Sequence, residues 1–155
     1  MSKIQEFLKN QEKSVMSIVE GKTIIDYLNT NAEESPDYPA LNTPINNEYT
    51  GWDSISWSEY QETVHNLASG LIDIGIQAED NAFIVANNVK EHFISDLGIM
   101  HAGAVPSTIY KQLKSGQIEY ISNLLEAKVA FVGDGELFTE VNKAKDNCPD
   151  MKYII

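Results

Sequence analysis

The run Asn81-Ala82-Phe83-Ile84-Val85-Ala86-Asn87 is the first of three short apolar segments that alternate with helical patterns between Trp57 and Asp134. Its apolar centre has the length and composition of a strand buried on both faces. Working outward from it, the sequence predicts a helix starting near Ser58, the strand 81–87, a helix 89–102, a strand 105–110, a helix 115–126 and a strand 128–132. Strands that alternate with helices of this length form a parallel β-sheet flanked by helices, so we predict an α/β fold.

Side chains at the predicted helix ends support this order. Ser or Asn followed three residues later by Glu or Gln has the capping-box spacing, in which each side chain satisfies a free backbone N–H. Glycine favours the left-handed conformation that ends a helix. We therefore expect caps at Ser58 with Gln61, at Asn88 with Glu91 and at Ser115, and helix ends at Gly75 and Gly103. The predicted core faces are Tyr60, Val64, Leu67, Ala68 and Leu71; Phe93, Leu97 and Met100; and Ile118, Ile121, Leu124 and Leu125.

The first 22 residues predict a separate amphipathic helix. Its apolar residues are Ile4, Phe7, Leu8, Val15, Ile18 and Val19. Such a helix either docks on a partner or a membrane surface, or folds back on its own domain. The mixed charge of its polar face favours the second interpretation, because membrane-surface helices are rich in Lys and Arg.

Residues 23–155 are predicted to form one α/β subdomain. Before the central stretch we predict a short helix from Ile24 that ends within 29–32, an acidic loop 33–37, and a hairpin over 38–56 that turns at Asn46-Asn47 and leads into the main sheet. After it we predict a helix with Leu137, Val141 and Ala144 on one face, and a strand 151–155. Because no later helix would cover that strand, we expect the chain to be a fragment truncated at residue 155.

Composition restricts the classes of partner. The chain of 155 residues is long enough for one core, and 43% of its residues are hydrophobic, as is usual for a globular protein. It carries 23 acidic and 11 basic residues, all of the latter Lys, for a net charge of −12. Arg is the residue that grips phosphates through paired hydrogen bonds, and an acidic surface repels polyanions. We therefore expect no nucleic-acid partner.

Cysteine usage and hydropathy indicate the compartment. Cys148 has no second cysteine with which to form a disulfide or a zinc site, which fits a reducing environment. We interpret it as a half-buried small residue at a helix end. No apolar run approaches the roughly 20 residues that span a bilayer, and residues 1–22 do not have the pattern of a secretion signal. We expect a cytoplasmic protein with at most peripheral membrane contact.

Gly133-Asp134-Gly135 lies between a strand and a helix, where a dinucleotide-binding loop would be found. Phe138 stands where that motif needs its third glycine, and Asp134 places a negative charge where a pyrophosphate would sit. A plain turn in which Asp134 caps the helix explains the motif better.

Other reactive side chains give no site. His65, His92 and His101 are on different predicted helices without a second ligand at helical spacing, which disfavours a metal site. Ser69 lies within a helix rather than on a nucleophile elbow. Lys111 and Lys114 follow a strand at its carboxyl end, where a phosphate could bind, but solvated loop lysines are the simpler interpretation. We assign no catalytic, cofactor-binding or metal-binding residue.

Several short blocks occur in order between Gly51 and Asp134. They are Ile55–Tyr60, Leu67–Leu71 with Gly75, Asp80, Asn88 with Glu91–Phe93, Asp96–Ile99, His101–Pro106, Ile109-Tyr110, Gln117–Ile121 and Glu126–Val129. No block is specific alone, but their order and spacing resemble the N-terminal part of the adenylate-forming (AMP-binding) acyl-CoA synthetases. Among the branches of this family, the long-chain fatty-acid–CoA ligases are the most similar. This likeness rests on the block Ala102-Gly103-Ala104-Val105-Pro106, which is followed by Ile109-Tyr110.

The resemblance implies an enzyme that uses ATP and Mg²⁺ to convert a fatty acid to acyl-AMP and pyrophosphate. The acyl group then passes to the thiol of coenzyme A. The chemistry is needed because a carboxylate is a poor acyl donor until its oxygen belongs to a leaving group, here AMP. The implied partners are the fatty acid, ATP, coenzyme A and the remainder of the ligase chain, and a homodimer is left open.

The family residues with known roles are implied to lie beyond Ile155. These are a Ser/Thr/Gly-rich loop ending in Lys, a Thr-Glu pair for the metal, an Asp for the ribose and a C-terminal domain with the adenylation lysine. Within the matching stretch, Glu79 replaces the family's usual Gly, Asn81 its Arg and Lys111 its Pro. No catalytic residue is carried over to this chain, and we expect the 155 residues alone to be inactive.

Two other interpretations remain open. A stand-alone, non-catalytic interaction or binding module would have its edge at residues 151–155 covered by a partner or by self-association. A small nucleotide-binding protein that uses residues 133–135 is disfavoured by Asp134 and Phe138. The length of the acyl chain cannot be predicted from these residues.

Overall fold

A computed structural model of the chain describes residues 3–7, 9, 11, 19–45 and 50–155. In these residues four parallel strands form one sheet flanked by helices, and two antiparallel strands form a separate small sheet. The predicted α/β fold is therefore confirmed. No helix in this part of the chain combines the length and apolar character that a membrane span needs.

The helices and strands of the central stretch lie within two residues of their predicted bounds. In chain order the elements are α1 (Ile24–Glu34), β1 (Pro39–Pro44), β2 (Trp52–Ser56), α2 (Trp57–Asp73), β3 (Asn81–Val85), α3 (Lys90–His101), β4 (Val105–Thr108), α4 (Ser115–Leu125), β5 (Val129–Val132), α5 (Gly135–Lys145) and β6 (Tyr153–Ile154).

The main sheet has the strand order β4-β3-β5-β6. Phe83 of β3 lies opposite Ser107 of β4 on one side and opposite Ala130 of β5 on the other. Every neighbouring pair in this sheet is parallel. The carboxyl ends of β3, β4 and β5 therefore meet at one edge, which is where open α/β sheets bind ligands.

The two faces of β3 belong to two different cores. Phe83 and Val85 pack with side chains of α4 and α5, whereas Ala82 and Ile84 pack with side chains of α2 and α3. This alternation is the ordinary consequence of successive strand residues pointing to opposite faces. Full burial of a side chain such as Phe83 contributes about 1.5–3 kcal/mol, so β3 makes a large contribution to the stability of both cores.

The region before the central stretch differs from its prediction in two respects. Helix α1 continues through residues 29–32 to Glu34, because Leu28 and Ala32 bury one face four residues apart. The β1–β2 hairpin forms its own two-stranded sheet and does not join the main sheet. An ion pair between Lys90 of α3 and Asp53 of β2 connects the two. The predicted turn at Asn46-Asn47 lies outside the described residues.

The helix caps differ in detail from those predicted. The capping box of α2 is formed by Ser56 and Glu59: the backbone N of Ser56 donates to Glu59 Oε2 (2.8 Å), and Glu59 N donates to Ser56 Oγ (3.2 Å). The predicted pair, Ser58 with Gln61, is wrong because the helix begins earlier, at Trp57. Gln61 Nε2 instead donates to Asn29 Oδ1 (2.9 Å) and so connects α2 to α1.

The caps predicted for α3 and α4 are also wrong. Val89 precedes α3 without a side-chain cap, so Asn88 and Glu91 form no capping box. Ser115 is the first residue inside α4, and its backbone N donates to Glu140 Oε2 of α5 (3.0 Å). A carboxylate from another helix therefore satisfies an N–H that local side chains were expected to satisfy.

The apolar stripes are partly confirmed. Leu137, Val141 and Ala144 are buried as predicted, and so is the stripe of α2 at Tyr60, Val64, Ala68 and Leu71. Phe93 and Leu124 were predicted to be core residues, but their side chains are 53% and 69% exposed. Helix α3 instead buries the consecutive residues 97–99, because it contacts both α2 and strands of the sheet.

The predicted amphipathic helix 1–22 lies largely outside the described residues. Its described part is helical over residues 3–7, where the side chains of Ile4 and Phe7 are 71% and 61% exposed. Whether this segment docks on a partner or on its own domain stays a prediction.

Glu79, in the turn between α2 and β3, has a left-handed backbone with φ of 70°. The turn is fixed because Glu79 N donates to the carbonyl oxygen of Gly103 (2.9 Å). A left-handed conformation costs a residue with a Cβ roughly 1–2 kcal/mol. The sequence places Glu where the acyl-CoA synthetases usually have Gly, and the backbone shows why Gly suits this position.

We expect Glu79→Gly to stabilise the protein by up to about 1 kcal/mol, because relief of the left-handed strain exceeds the entropy that Gly adds to the unfolded chain. Urea unfolding gives the free energy of unfolding of both proteins. The matched control is Glu62→Gly, the same substitution inside α2, which should destabilise by about 1 kcal/mol. Equal destabilisation by both would contradict the strain at Glu79.

Candidate functional site

The carboxyl ends of the parallel strands border two adjacent cavities. The first, of about 340 Å³, is mainly apolar and lies over the ends of β3 and β5. Its lining includes Ile84, Val89, His92, Ser95, Phe131 and Gly133. The second, of about 310 Å³, lies over the ends of β3 and β4 and is lined by Asn87, Asn88, His92, Thr108, Tyr110 and Lys111, among others. This edge is the candidate functional site.

Among the described residues, His92 is the only ionisable residue that lines both cavities. Its Nε2 lies 3.1 Å from Thr108 Oγ1, and its Nδ1 is buried without a hydrogen-bond partner in the described chain. The bond to Thr108 orients the ring across the sheet edge. This position was not expected from the sequence, in which His92 was only one of three isolated histidines.

Lys111 and Lys114 are both exposed, as expected for loop lysines. Lys111 Nζ donates to Asn87 Oδ1 (2.6 Å), which connects the loop after β4 to the loop after β3. Lys114 lines neither cavity and precedes α4, where its backbone N donates to Gln117 Oε1 (3.1 Å). The structure therefore brings Lys111 to the candidate site and leaves Lys114 outside it.

The Gly133-Asp134-Gly135 loop is a strand-to-helix turn, as interpreted from the sequence. Asp134 Oδ1 accepts hydrogen bonds from the backbone N of Glu136 (3.0 Å) and of Leu137 (2.9 Å). A side-chain carboxylate thus occupies the place that a phosphate would take at a helix N-terminus. Gly133 has a separate structural reason, because a Cβ there would lie 2.9 Å from the Cα of Ala86.

His65 and His101 are brought together, although they are 36 positions apart and were treated as unrelated. Their rings stack with centroids 4.5 Å apart and planes inclined by 9°. Burial, and then the charge of His65, lower the pKa of His101. The pair lies between α2 and α3, and no sequence spacing indicates it because the contact depends on how two helices pack.

Ser69 and Cys148 have structural roles. Ser69 Oγ donates to the carbonyl oxygen of His65 (2.9 Å) within α2, so the hydroxyl is tied to its own helix. Cys148 follows α5 and is 3% exposed, more deeply buried than the half-buried position predicted. A buried thiol in an apolar cluster behaves as a small hydrophobic residue.

Two features that commonly bind phosphate or metal are not formed in the described residues. The N-terminus of α5 is filled by Asp134, and no group of three or more His, Cys, Asp or Glu side chains in this part of the chain converges on a metal-sized space. The first cavity presents mainly apolar side chains together with Glu91 and His92, and the second presents mainly polar side chains together with Lys111.

A parallel sheet that is flanked by helices and open at the carboxyl ends of its strands is an α/β architecture that binds ligands at that edge. A family model described as AMP-binding enzyme matches residues 28–155, which include most of α1 and every later element. This chain belongs to the AMP-binding enzyme family. The resemblance found in the sequence is thereby confirmed.

Individual relatives agree with this assignment. Over 148 residues, 94% of this chain, the identity to the long-chain-fatty-acid–CoA ligase heimdall of Drosophila melanogaster is 27%. Over 107 residues, 69% of this chain, the identity to uncharacterized protein Rv1549 of Mycobacterium tuberculosis is 28%. The crystal structure of the anthranilate CoA ligase AuaEII in complex with anthranoyl-AMP superposes on 84% of this chain with a TM-score of 0.75 and 22% identity.

The chain is shorter than each of these proteins. It spans 22% of the Drosophila ligase, 58% of the mycobacterial protein and 24% of the anthranilate CoA ligase. The likeness to the crystal structure shows the shared fold. The activity of a whole ligase is therefore considered as a proposal below.

We expect Gly133→Ala to destabilise the protein by about 1–3 kcal/mol, because the added Cβ meets backbone atoms of the neighbouring strand end that cannot move aside freely. Gly135→Ala is the matched control. Nothing lies within 4 Å of a Cβ at Gly135, the first residue of α5. This change should be neutral or stabilising by about 0.4–1 kcal/mol. Equal effects on the free energy of unfolding would contradict the close approach at Gly133.

We expect His101 to make stability pH-dependent. Its pKa is lowered in the folded protein, so the unfolded chain binds the proton more readily. The contribution is complete above the unfolded pKa of about 6.5 and is lost as the pH falls below it. Thermal unfolding between pH 7.5 and 5 should show a smaller decrease in Tm for His101→Asn than for the parent. An NMR titration midpoint of His101 at or above 6.5 would contradict this expectation.

Proposed function

We propose that this chain is the N-terminal part of an ATP-dependent fatty acid–CoA ligase that acts on long-chain acids. The whole enzyme would join a fatty acid to AMP with release of pyrophosphate, and would then transfer the acyl group to coenzyme A. The observation that carries the proposal is the family match over residues 28–155, which coincides with the folded α/β unit. The identity to the Drosophila long-chain ligase over 94% of the chain supports the substrate class.

The proposed contribution of this chain is structural. Its sheet ends in an apolar cavity, whose walls include Ile84, Val89 and Phe131, and such a surface suits a hydrocarbon or an adenine ring better than a phosphate. ATP, Mg²⁺ and coenzyme A are assigned to the whole enzyme. The 155 residues alone are proposed to be inactive, and the protein is proposed to be cytoplasmic.

A second candidate is a stand-alone, non-catalytic binding or interaction module. One observation favours it: the mycobacterial relative is matched over 58% of its length, so this α/β unit also occurs in a protein much shorter than the Drosophila ligase. Such a module would keep the scaffold and the cavity at the sheet edge without the chemistry.

The proposal predicts acyl-CoA synthesis by the product of the whole reading frame that contains this chain. With palmitate, ATP, Mg²⁺ and coenzyme A it should form palmitoyl-CoA and AMP, while the 155 residues alone should catalyse neither this reaction nor ATP–pyrophosphate exchange. A reading frame that ends at residue 155 in the cell, or a longer product without acyl-CoA synthesis, would overturn the ligase and favour the module.

A variant in the cavity tests the proposed wall. Ser95 lines the first cavity, and its Oγ donates to the carbonyl oxygen of Glu91 within α3. Ser95→Phe should fill the cavity and lower acyl-CoA synthesis about tenfold or more, because small displacements in a reacting site have large effects. Ser69→Phe is the control, since Ser69 makes the same kind of bond on the exposed side of α2. Equal rates of acyl-CoA synthesis by the two variants would show that the first cavity takes no part in the reaction.

A further inference from the structure

A third cavity, of about 280 Å³, lies on the other side of α3 from the sheet edge, between α1, the start of α2 and α3. Helix α3 therefore borders two different sites, with His92 and Ser95 in the first cavity and Phe93, Asp96 and Leu97 in this one. We call this cavity the aromatic cavity. Its main lining residues are Tyr27, Leu28, Trp57, Tyr60, Phe93 and Asp96.

Four of these side chains are aromatic and come from three helices. Trp57 and Tyr60 lie with ring centroids 6.2 Å apart and planes inclined by 36°, so their faces are not stacked against each other. Tyr60 is fixed by burial and by its hydroxyl, which donates to the carbonyl oxygen of Phe93 (3.2 Å). Phe93 was expected in the core, but its ring is 53% exposed at this cavity.

Asp96 supplies the only formal charge among the residues that line the aromatic cavity. Within the described part of the chain its carboxylate makes no hydrogen bond and no ion pair. It is close enough to Tyr60 to contribute, after burial, to raising the pKa of that phenol to about 12. Burial also raises the pKa of Asp96 itself, and the charge of His92 offsets part of this effect.

Aromatic rings around an unpaired carboxylate form a recognisable combination. The face of an aromatic ring is negative and attracts cations, and several rings together recognise ammonium groups. An incompletely solvated carboxylate gains further from an opposite charge at short range. A neutral hydrocarbon would fill the same space but would leave Asp96 further desolvated, which is unfavourable.

We propose that the aromatic cavity binds a small organic ammonium ion, with the cationic group held against the rings of Trp57 and Phe93 and paired with Asp96. The volume suits a molecule smaller than an ordinary drug-sized ligand. The net charge of −12 raises the local concentration of cations around the whole chain. The site is independent of the proposed ligase activity, because it lies away from the carboxyl ends of the strands.

One of the four rings already contacts a cation, although this contact lies outside the cavity. Lys22 Nζ lies 5.4 Å from the ring centroid of Tyr27, within the range of a cation–π interaction. Lys22 is exposed and does not line the cavity, and its charge also helps to lower the pKa of Asp26. An ammonium group is thus already held by one of the four rings.

The experiment is a titration of the ¹⁵N-labelled chain with choline, followed by NMR. The indole N–H signal of Trp57, distinguished from that of Trp52 by a Trp52→Phe variant, reports directly on the cavity. The matched ligand is 3,3-dimethylbutan-1-ol, which has the shape of choline without its charge. We expect a saturable shift of the Trp57 signal with choline and at least tenfold weaker binding of the neutral alcohol.

Three variants assign the effect to residues. Asp96→Asn keeps the shape and removes the charge, and should weaken choline binding about tenfold or more. Phe93→Leu keeps an apolar side chain but removes the ring, and should weaken it about 3- to 10-fold. Asp73→Asn, at the exposed end of α2, changes the net charge by the same amount and should leave the affinity unchanged.

Any of three results would overturn the proposal. Equal binding of choline and its neutral analogue would identify an apolar cavity without a cation site. Equal losses in Asp96→Asn and Asp73→Asn would identify a general charge effect. No saturable shift of Trp57 with choline or with n-butylammonium would show that the cavity does not admit an ammonium ion.

Discussion

The burial of β3 between two neighbouring strands and two helical layers is the constraint on which the rest of the structure depends. Each of its backbone polar groups needs a partner in the sheet, because no water reaches a strand buried on both faces. Its two faces pack against different helices. Phe83 packs with α4 and α5 on one side of the sheet, and Ile84 packs with α2 and α3 on the other. Connections between parallel strands of one sheet are almost always right-handed. The position of β3 and this rule together restrict the topologies that are available to β4 and β5.

The position of the candidate site follows from the same constraint. Parallel strands end at one edge, so the loops after β3, β4 and β5 meet there whatever their sequences. The chain uses this convergence for close contacts: Gly133 packs against Ala86, and Lys111 reaches Asn87 from the neighbouring loop. The result is an edge with one mainly apolar cavity and one mainly polar cavity, which meet at His92. Such an edge is suited to forming one side of a cleft.

Local patterns predicted most of the fold, and long-range contacts account for what they missed. The apolar run of β3 and the Leu137 stripe of α5 specify their elements because burial and periodicity are local properties. The start of α2 was misplaced because Ser56 and Ser58 offer the same chemistry, and the hairpin geometry selects Ser56. Ser115 was misassigned because Glu140, from another helix, satisfies its backbone N–H. No pattern within a single helix could indicate that partner.

Helix α3 shows why the sites were harder to predict than the fold. It contacts α2 along one side, the sheet along a second and α1 near its start, so its apolar residues do not form one stripe. Gly98 allows a close approach to α2, because a Cβ there would lie 2.5 Å from Leu67 Cδ2, and the Phe93 ring is 53% exposed rather than in the core. The same orientation places His92 at the sheet edge and Asp96 in the aromatic cavity. A helix packed on several sides thus distributes its polar residues between two cavities. A prediction that assumes one apolar stripe would instead expose these residues to solvent.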